Sequence, residues 1–210
     1  MYEIITANYS AKDPEIKYDY PVTVFKDVYD KFTDPRRNSR IHKILIHKYS
    51  NADVTIWMDA NMQLIISPEE FIEKYLGDYD MAMFKHSRNC LYDEAEEVIK
   101  LRLDSKEIIL EQVKYYQDSG FPKNKGLAQG GIIIRRNNKK TIDFNEAWWA
   151  DYCRFSRRDQ LSIMPAIDKV GLRVNLIPEL WYLYADCAVI GNAVKIISHS
   201  HFEGNFNEKK

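Results

Sequence analysis

Val54-Thr55-Ile56-Trp57-Met58 runs directly into Asp59-Ala60-Asn61: an apolar stretch, a carboxylate, a small residue and an amide. A hard divalent cation prefers oxygen ligands, and a short acidic turn at a strand end offers them while leaving room for phosphate oxygens. The plain alternative is a turn in which Asp59 and Asn61 bond their own backbone. Arg40 and Lys43 stand one helical turn apart, with His47 a further turn on. A helix here would turn one cationic face to a diphosphate, or simply to solvent. His199-Ser200-His201 puts two imidazoles on one side of an extended chain, where one would complete a metal site begun by Asp59. Two surface histidines near a polar tail is the other reading. In Phe155-Ser156-Arg157-Arg158-Asp159-Gln160-Leu161-Ser162, Ser156 and Asp159 have capping-box spacing. The alternative is that Asp159 and Gln160 open a helix at a cleft floor and meet substrate hydroxyls. Trp148 and Trp149 offer a face for a sugar ring, with at least one of them expected in the core.

The elements that must hold these residues alternate in type. Strands are predicted at Glu3 to Ala7, Pro21 to Phe25, Asp53 to Met58, Asp80 to Phe84, Gly131 to Arg135, Arg173 to Ile177 and Val194 to Ile197. Helices are predicted at Arg40 to Tyr49, from Ser67-Pro68 onward, over Tyr92 to Gln117 in two pieces, and at Phe144 to Phe155 and Arg158 to Val170. Asp34 to Arg40 reads as a polar loop or the start of a helix. Gly120 and Gly171 read as helix ends. This alternation predicts an α/β sheet with mostly parallel pairing. Ligands of such sheets bind beyond the carboxyl ends of the strands, here Ala7-Asn8-Tyr9, Asp59-Ala60-Asn61 and His86-Ser87-Arg88. Gly130-Gly131 ahead of Ile132 suits a close backbone approach.

Composition narrows the class. The chain has 210 residues, 45% hydrophobic and 29% charged, with net charge −1. That is an ordinary globular balance, and it lacks the basic excess of a general nucleic-acid binder. One domain over 1–202 is expected, with 203–210 as a polar tail or a linker to further domains. No apolar run spans a bilayer, no signal peptide is visible, and the three cysteines suit a reducing, cytoplasmic compartment. Phosphate-binding Gly-rich loops and a Gly-x-Ser-x-Gly elbow are both missing.

Five segments in order carry a resemblance: Arg40-x-x-Lys43-x-Leu45-x-His47-Lys48, Ile56 to Asn61, His86-x-Arg88-x-Cys90-x-Tyr92-x-Glu94-Ala95, Gly130 to Arg135, and Ser156 to Ser162. Together they resemble a family of glycosyltransferases of plant cell-wall biosynthesis and of bacteria. The chain as a whole is similar to the first domain of a chlorella-virus capsid-glycosylation protein. The resemblance covers roughly residues 2–202.

The resemblance implies a GT-A fold, a nucleotide-binding α/β sandwich with a manganese-dependent (or magnesium-dependent) Asp-x-Asp motif. Asp59 then holds the first motif position, and Asn61 replaces the second carboxylate with a neutral ligand. His199 or His201 is expected to make up the shortfall. The implied reaction moves a hexose or deoxyhexose from a UDP-sugar to a glycan acceptor, in the cytoplasm or the host cytoplasm of a virus. Thr6, Ala7, Asn8 and Tyr9 should hold uracil and ribose, and Arg40, Lys43, Asp59, Ala60 and Asn61 the diphosphate and metal. His86, Arg88, Gly131, Trp149, Arg158 and Gln160 are expected at the substrate. Asp159 is expected on the acceptor side, as general base or hydrogen-bond partner. A metal-dependent nucleotidyltransferase would share the Asp59 site, and a non-catalytic nucleotide-sugar or glycan-binding module is compatible with Asn61.

Overall fold

Successive residues of a strand face opposite ways, and here both faces of the central strands are apolar. Ile4, Ile56, Ile132 and Ile134 lie on one side, Ile5, Trp57 and Ile133 on the other. Such a sheet must be covered twice. The computed structural model describes residues 1–11, 13–178, 181–183 and 187–197. Its elements are β1 (Tyr2–Ala7), β2 (Thr23–Phe25), α1 (Pro35–Ile44), β3 (Val54–Met58), β4 (Met62–Leu64), α2 (Pro68–Leu76), β5 (Met81–Lys85), α3 (Leu91–Lys100), α4 (Lys106–Asp118), β6 (Ala128–Arg136), α5 (Lys139–Arg154), α6 (Gln160–Val170), β7 (Val174–Ile177), β8 (Trp181–Leu183), β9 (Cys187–Ile190) and β10 (Val194–Ile197).

The central sheet has the order β2-β1-β3-β6-β5-β7. Its pairings are parallel except those of β6, which runs against both neighbours. One face packs α1, α5 and α6 through Ile44, Phe144, Trp148, Tyr152 and Ile163. The other packs α2 and a smaller antiparallel sheet, β4-β10-β9-β8, through Phe71, Tyr75, Leu64 and Val194. The fold is thus the expected mixed α/β layout: a mostly parallel sheet flanked by helices.

Local rules set the helix ends. Asp34 caps α1 by accepting from the Arg36 N–H at 2.9 Å, so the polar stretch from Asp34 is the start of that helix. α1 ends at Ile44, and Ile46–Lys48 is a separate 3-10 turn. Ser67 accepts from the Glu70 N–H, with Pro68 at the first helical position. α5 begins at Lys139 rather than Phe144, because Asn138 and Thr141 form a capping box. Gly171 closes α6 in the left-handed conformation at φ 61°. The Ser156–Asp159 capping box is not formed: α6 starts at Gln160, with Asp159 itself at the cap position. Strands β4, β8 and β9 were not anticipated, since runs of three or four residues are too short to show periodicity.

Candidate active site

Because β1 and β3 are parallel and β6 is antiparallel, the ends of β1 and β3 and the start of β6 share one sheet edge. There the Asp59 N–H donates to the Gly131 carbonyl at 2.8 Å, and Trp57 Nε1 donates to Asp59 Oδ1 at 3.0 Å. A Cβ at Gly131 would collide with Met62 Cε, and one at Gly130 would lie 2.8 Å from Lys43 Nζ. The two glycines therefore let the Asp59 turn and the Lys43 side chain lie directly against β6.

Four charges meet at this edge. Lys43 is only 2% exposed; its Nζ is 2.6 Å from Asp159 Oδ2 and 3.9 Å from Asp59 Oδ1. Arg40 Nε is 3.3 Å from Asp159 Oδ2, and its Nη1 is 3.9 Å from Asp59 Oδ1. Trp148 fixes the loop by donating its indole N–H to the Asp159 carbonyl at 2.9 Å, with its ring 5.9 Å from Lys43 Nζ. Burial alone would push the Asp159 carboxyl up, but Lys43 and then Arg40 outweigh it and hold the carboxyl down at about 2. Burial likewise disfavours the Arg40 charge, and Asp159 and Asp59 more than restore it. Around this cluster the Tyr152 hydroxyl, Arg158 Nε and Gln160 Nε2 are buried without a hydrogen-bond partner among the described residues. Unmet buried donors are uncommon and fit a surface built for a ligand or water.

Beside the cluster lies a cleft of about 380 Å³, lined by Thr6, Asn8, Asp13, Tyr18, Val24, Lys26, Asp27 and Ala60 among others. Thr6 is 1% exposed and its Oγ1 has no partner among the described residues. The Asn8 amide is occupied: its Nδ2 donates to the Asp13 carbonyl at 3.0 Å and its Oδ1 accepts the Asp13 N–H at 3.2 Å. Asn8 thus staples the loop that forms the cleft wall. Ala11 and Asp27 on this wall have positive φ (46° and 47°), as does Ser10 next to Ala11 in the chain (59°). The Ser10 N–H is held by both Asp27 carboxylate oxygens at 3.0 and 3.1 Å. Backbone strain of this kind collects at ligand sites.

Residues 20–201 match the TOD1/MUCI70, glycosyltransferase-like domain. The chain belongs to that family. It is 25% identical over 157 residues to "Probable hexosyltransferase MUCI70" of Arabidopsis thaliana, covering 69% of this chain and 27% of that protein. It is 25% identical over 158 residues to "Alkaline ceramidase TOD1" of the same plant, covering 69% and 34%. The chain therefore spans about a third or less of the curated relatives it matches. Among solved structures, it is similar to the bifunctional glycosyltransferase WbbM (TM-score 0.46, 11% identity, 84% of this chain and 38% of that one). It is also similar to mouse xyloside xylosyltransferase 1 (TM-score 0.43, 8% identity, 84% of each chain).

In this TOD1/MUCI70-family chain the remaining site residues fall into three groups. Asp59, Ala60, Gly131, Arg40, Lys43, Asp159, Arg158 and Gln160 gather at the edge described above. His86 and Arg88 form a neighbouring cluster: Arg88 Nη1 pairs with buried Glu94 at 2.8 Å, and His86 Nε2 is 4.0 Å from the same carboxylate. Burial lowers the His86 pKa against the opposing pull of Glu94. Others point elsewhere. Tyr9 is 6% exposed, its hydroxyl 2.8 Å from His42 Nε2 in the core, and it is not among the residues lining the cleft. Ala7 is a core residue. Trp149 packs against Phe32 and Tyr152. His47 leaves the Arg40–Lys43 face because α1 ends before it, and it bonds Glu146 and Asn145. His199 and His201 lie outside the described residues.

The implied Mn²⁺ or Mg²⁺ can be tested against the donor set. Among the described residues no three His, Cys, Asp or Glu side chains form a metal cluster. Asp59 supplies one carboxylate. Asn61 is 8% exposed and spends its Nδ2 on the Ile197 carbonyl at 3.2 Å, which leaves Oδ1 as a donor oxygen. Two oxygens would suit a hard ion only if its remaining ligands came from phosphate and water. They do not make a free-standing cage.

Trp148 is the core member of the Trp148–Trp149 pair, fully buried, whereas Arg135 and Asp104 were not singled out from the sequence as site residues. Asp104 Oδ2 accepts from Ser156 Oγ and from the Arg157 N–H, both at 2.7 Å, and so anchors the loop that carries Asp159. Arg135 had a readable signal. It shares parity with Ile133 on a strand apolar on both faces, so its side chain had to be buried.

Proposed function

We propose that this chain transfers a hexosyl or deoxyhexosyl group from a UDP-sugar to a glycan acceptor, with a divalent ion at Asp59 and Asn61. The observation that carries this reading is the Arg40–Lys43–Asp59–Asp159 cluster beside a cleft where Thr6 Oγ1 has no partner among the described residues. The cleft suits a nucleoside in size, and Ala60 links it to the Asp59 turn. A bound ion would supply charge neutralisation to the leaving diphosphate. Arg40 adds a fixed guanidinium, which stabilises the same developing charge without reorganisation. Arg158 and Gln160 bring donors that sugar hydroxyls can satisfy.

Asp159 is better suited to hold a hydroxyl than to remove its proton. A carboxyl held at about 2 is a weak proton acceptor at neutral pH, where a general base works best with a pKa near 7. It accepts a hydrogen bond from the sugar and keeps Lys43 in place.

Calorimetry of UDP binding with Mn²⁺ or with chelator, followed by product analysis over UDP-, GDP- and dTDP-sugars, tests the reading. Metal-dependent UDP binding and release of UDP with a glycosylated acceptor are expected. Release of pyrophosphate, or binding without turnover, would overturn it in favour of a nucleotidyltransferase or a binding module.

A further inference from the structure

Arg135 lies near the end of β6 and is 1% exposed. No carboxylate among the described residues pairs with it, and burial lowers its pKa to about 9. An interior cation without a counter-charge is expensive to keep. Its partners are specific. Nη2 donates to the Lys43 carbonyl at 2.5 Å, and Nη1 donates to Asn145 Oδ1 at 2.7 Å and to the Ile44 carbonyl at 3.5 Å. Lys43 and Ile44 are the last two residues of α1, whose carbonyls have no helical partner.

Lys43 is therefore held at both ends. Its carbonyl is gripped by Arg135 and its ammonium by Asp159, with Gly130 alongside. A helix end needs no guanidinium for capping alone, since a glycine or water serves. The planar fork adds a fixed angle between two successive carbonyls of α1, strand β6 and Asn145 of α5. That fixes the rotation of α1 about its own axis. A few degrees of rotation there moves the tip of a long side chain by far more than it moves the backbone.

We infer that Arg135 is a positioning residue: it sets the rotation of α1 so that the Lys43 ammonium meets Asp159 rather than the surrounding core. The negative end of the α1 dipole offsets part of the cost of the buried charge. Asn145 orients the fork, and its Nδ2 bonds His47 Nδ1 at 3.1 Å. The kinetic arm below rests on the transfer reading; the structural arm does not.

The test uses Arg135→Lys, which keeps the charge but loses the fork, and Asn145→Ala, which leaves Arg135 intact but removes the shorter of its two Nη1 hydrogen bonds. In crystals of either variant, the Lys43 Nζ to Asp159 separation should open beyond the ion-pair range of about 4 Å. The transfer kcat, measured well below the melting temperature, should fall roughly tenfold while UDP still binds. A purely structural Arg135 predicts a lower melting temperature with unchanged kcat and an unchanged Lys43–Asp159 distance, and that result overturns the proposal. If Arg135→Lys does not fold, Asn145→Ala decides by the same two readouts. A wild-type chain that binds no UDP-sugar would sink the functional reading, and the crystal distance would still judge the positioning role.

Discussion

Lys43 and Asp159 meet at 2.6 Å, although they come from the first and last helical regions of one sheet face. The pair is neither a surface ion pair nor a simple helix cap. Lys43 is almost wholly enclosed, so Asp159 is its nearest counter-charge and Arg40 competes for the same oxygen. Replacing Asp159 by Asn should lower stability by about 3 kcal/mol, the low end for breaking one side of a buried pair, because Asp159 keeps some exposure. Transfer should fall on the order of 100-fold, with UDP binding retained or tightened as the two cations turn to the diphosphate. Thermal melts, calorimetry and a transfer assay read all three. A near-normal transfer rate would make Asp159 a structural residue only.

Two acid-labile contributions should separate by pH. Burial lowers the His42 pKa from 6.5 to about 4, so the folded chain keeps it neutral while the unfolded chain protonates it. Its contribution is full above pH 6.5 and is lost as pH falls to about 4, amounting to roughly 3 kcal/mol. The Asp159 contribution is full above its ordinary value of 3.8 and is lost as pH falls towards about 2. His42→Phe should keep the stack on Phe25 but flatten the upper window. Urea midpoints from pH 7.5 to 4 measure this, and an unchanged slope in the variant would refute it.

Gly130→Ala places a Cβ 2.8 Å from Lys43 Nζ. The end of a lysine is ordinarily free to move aside, but Asp159 and Trp148 confine this one. Stability should drop by about 1–3 kcal/mol, the range for overpacking, with transfer reduced roughly tenfold. Melting curves and initial rates check both numbers.

Asp59→Ala should abolish the metal dependence of UDP binding, because it removes the one anionic ligand among the described residues at that turn. Asn61→Asp should preserve binding and tighten Mn²⁺ severalfold by adding a second charge. Calorimetry with Mn²⁺ and with chelator decides; equal UDP affinity in both for the wild-type chain would count against an ion at this turn.

Much of this was legible in the sequence. The apolar run into Asp59 had to be a buried strand ending in a polar turn, and the Arg40–Lys43 spacing had to share a helix face. Local geometry and periodicity fix such features within a few residues. Gly130-Gly131 suited a close backbone approach, but what lies against the two glycines is the side chains of Lys43 and Met62. What the tertiary structure alone decided is who meets whom. No spacing rule brings Asp159 to Lys43, seats Arg135 on the last carbonyls of α1, or sends Tyr9 inward to His42 and away from the cleft. Those contacts depend on how α1, α5 and α6 pack across one sheet, where a small rotation changes every partner. A related limit hid most of the second sheet: β10 was readable, but β4, β8 and β9 are too short to carry a period, and β4, β9 and β10 complete each other's hydrogen bonds.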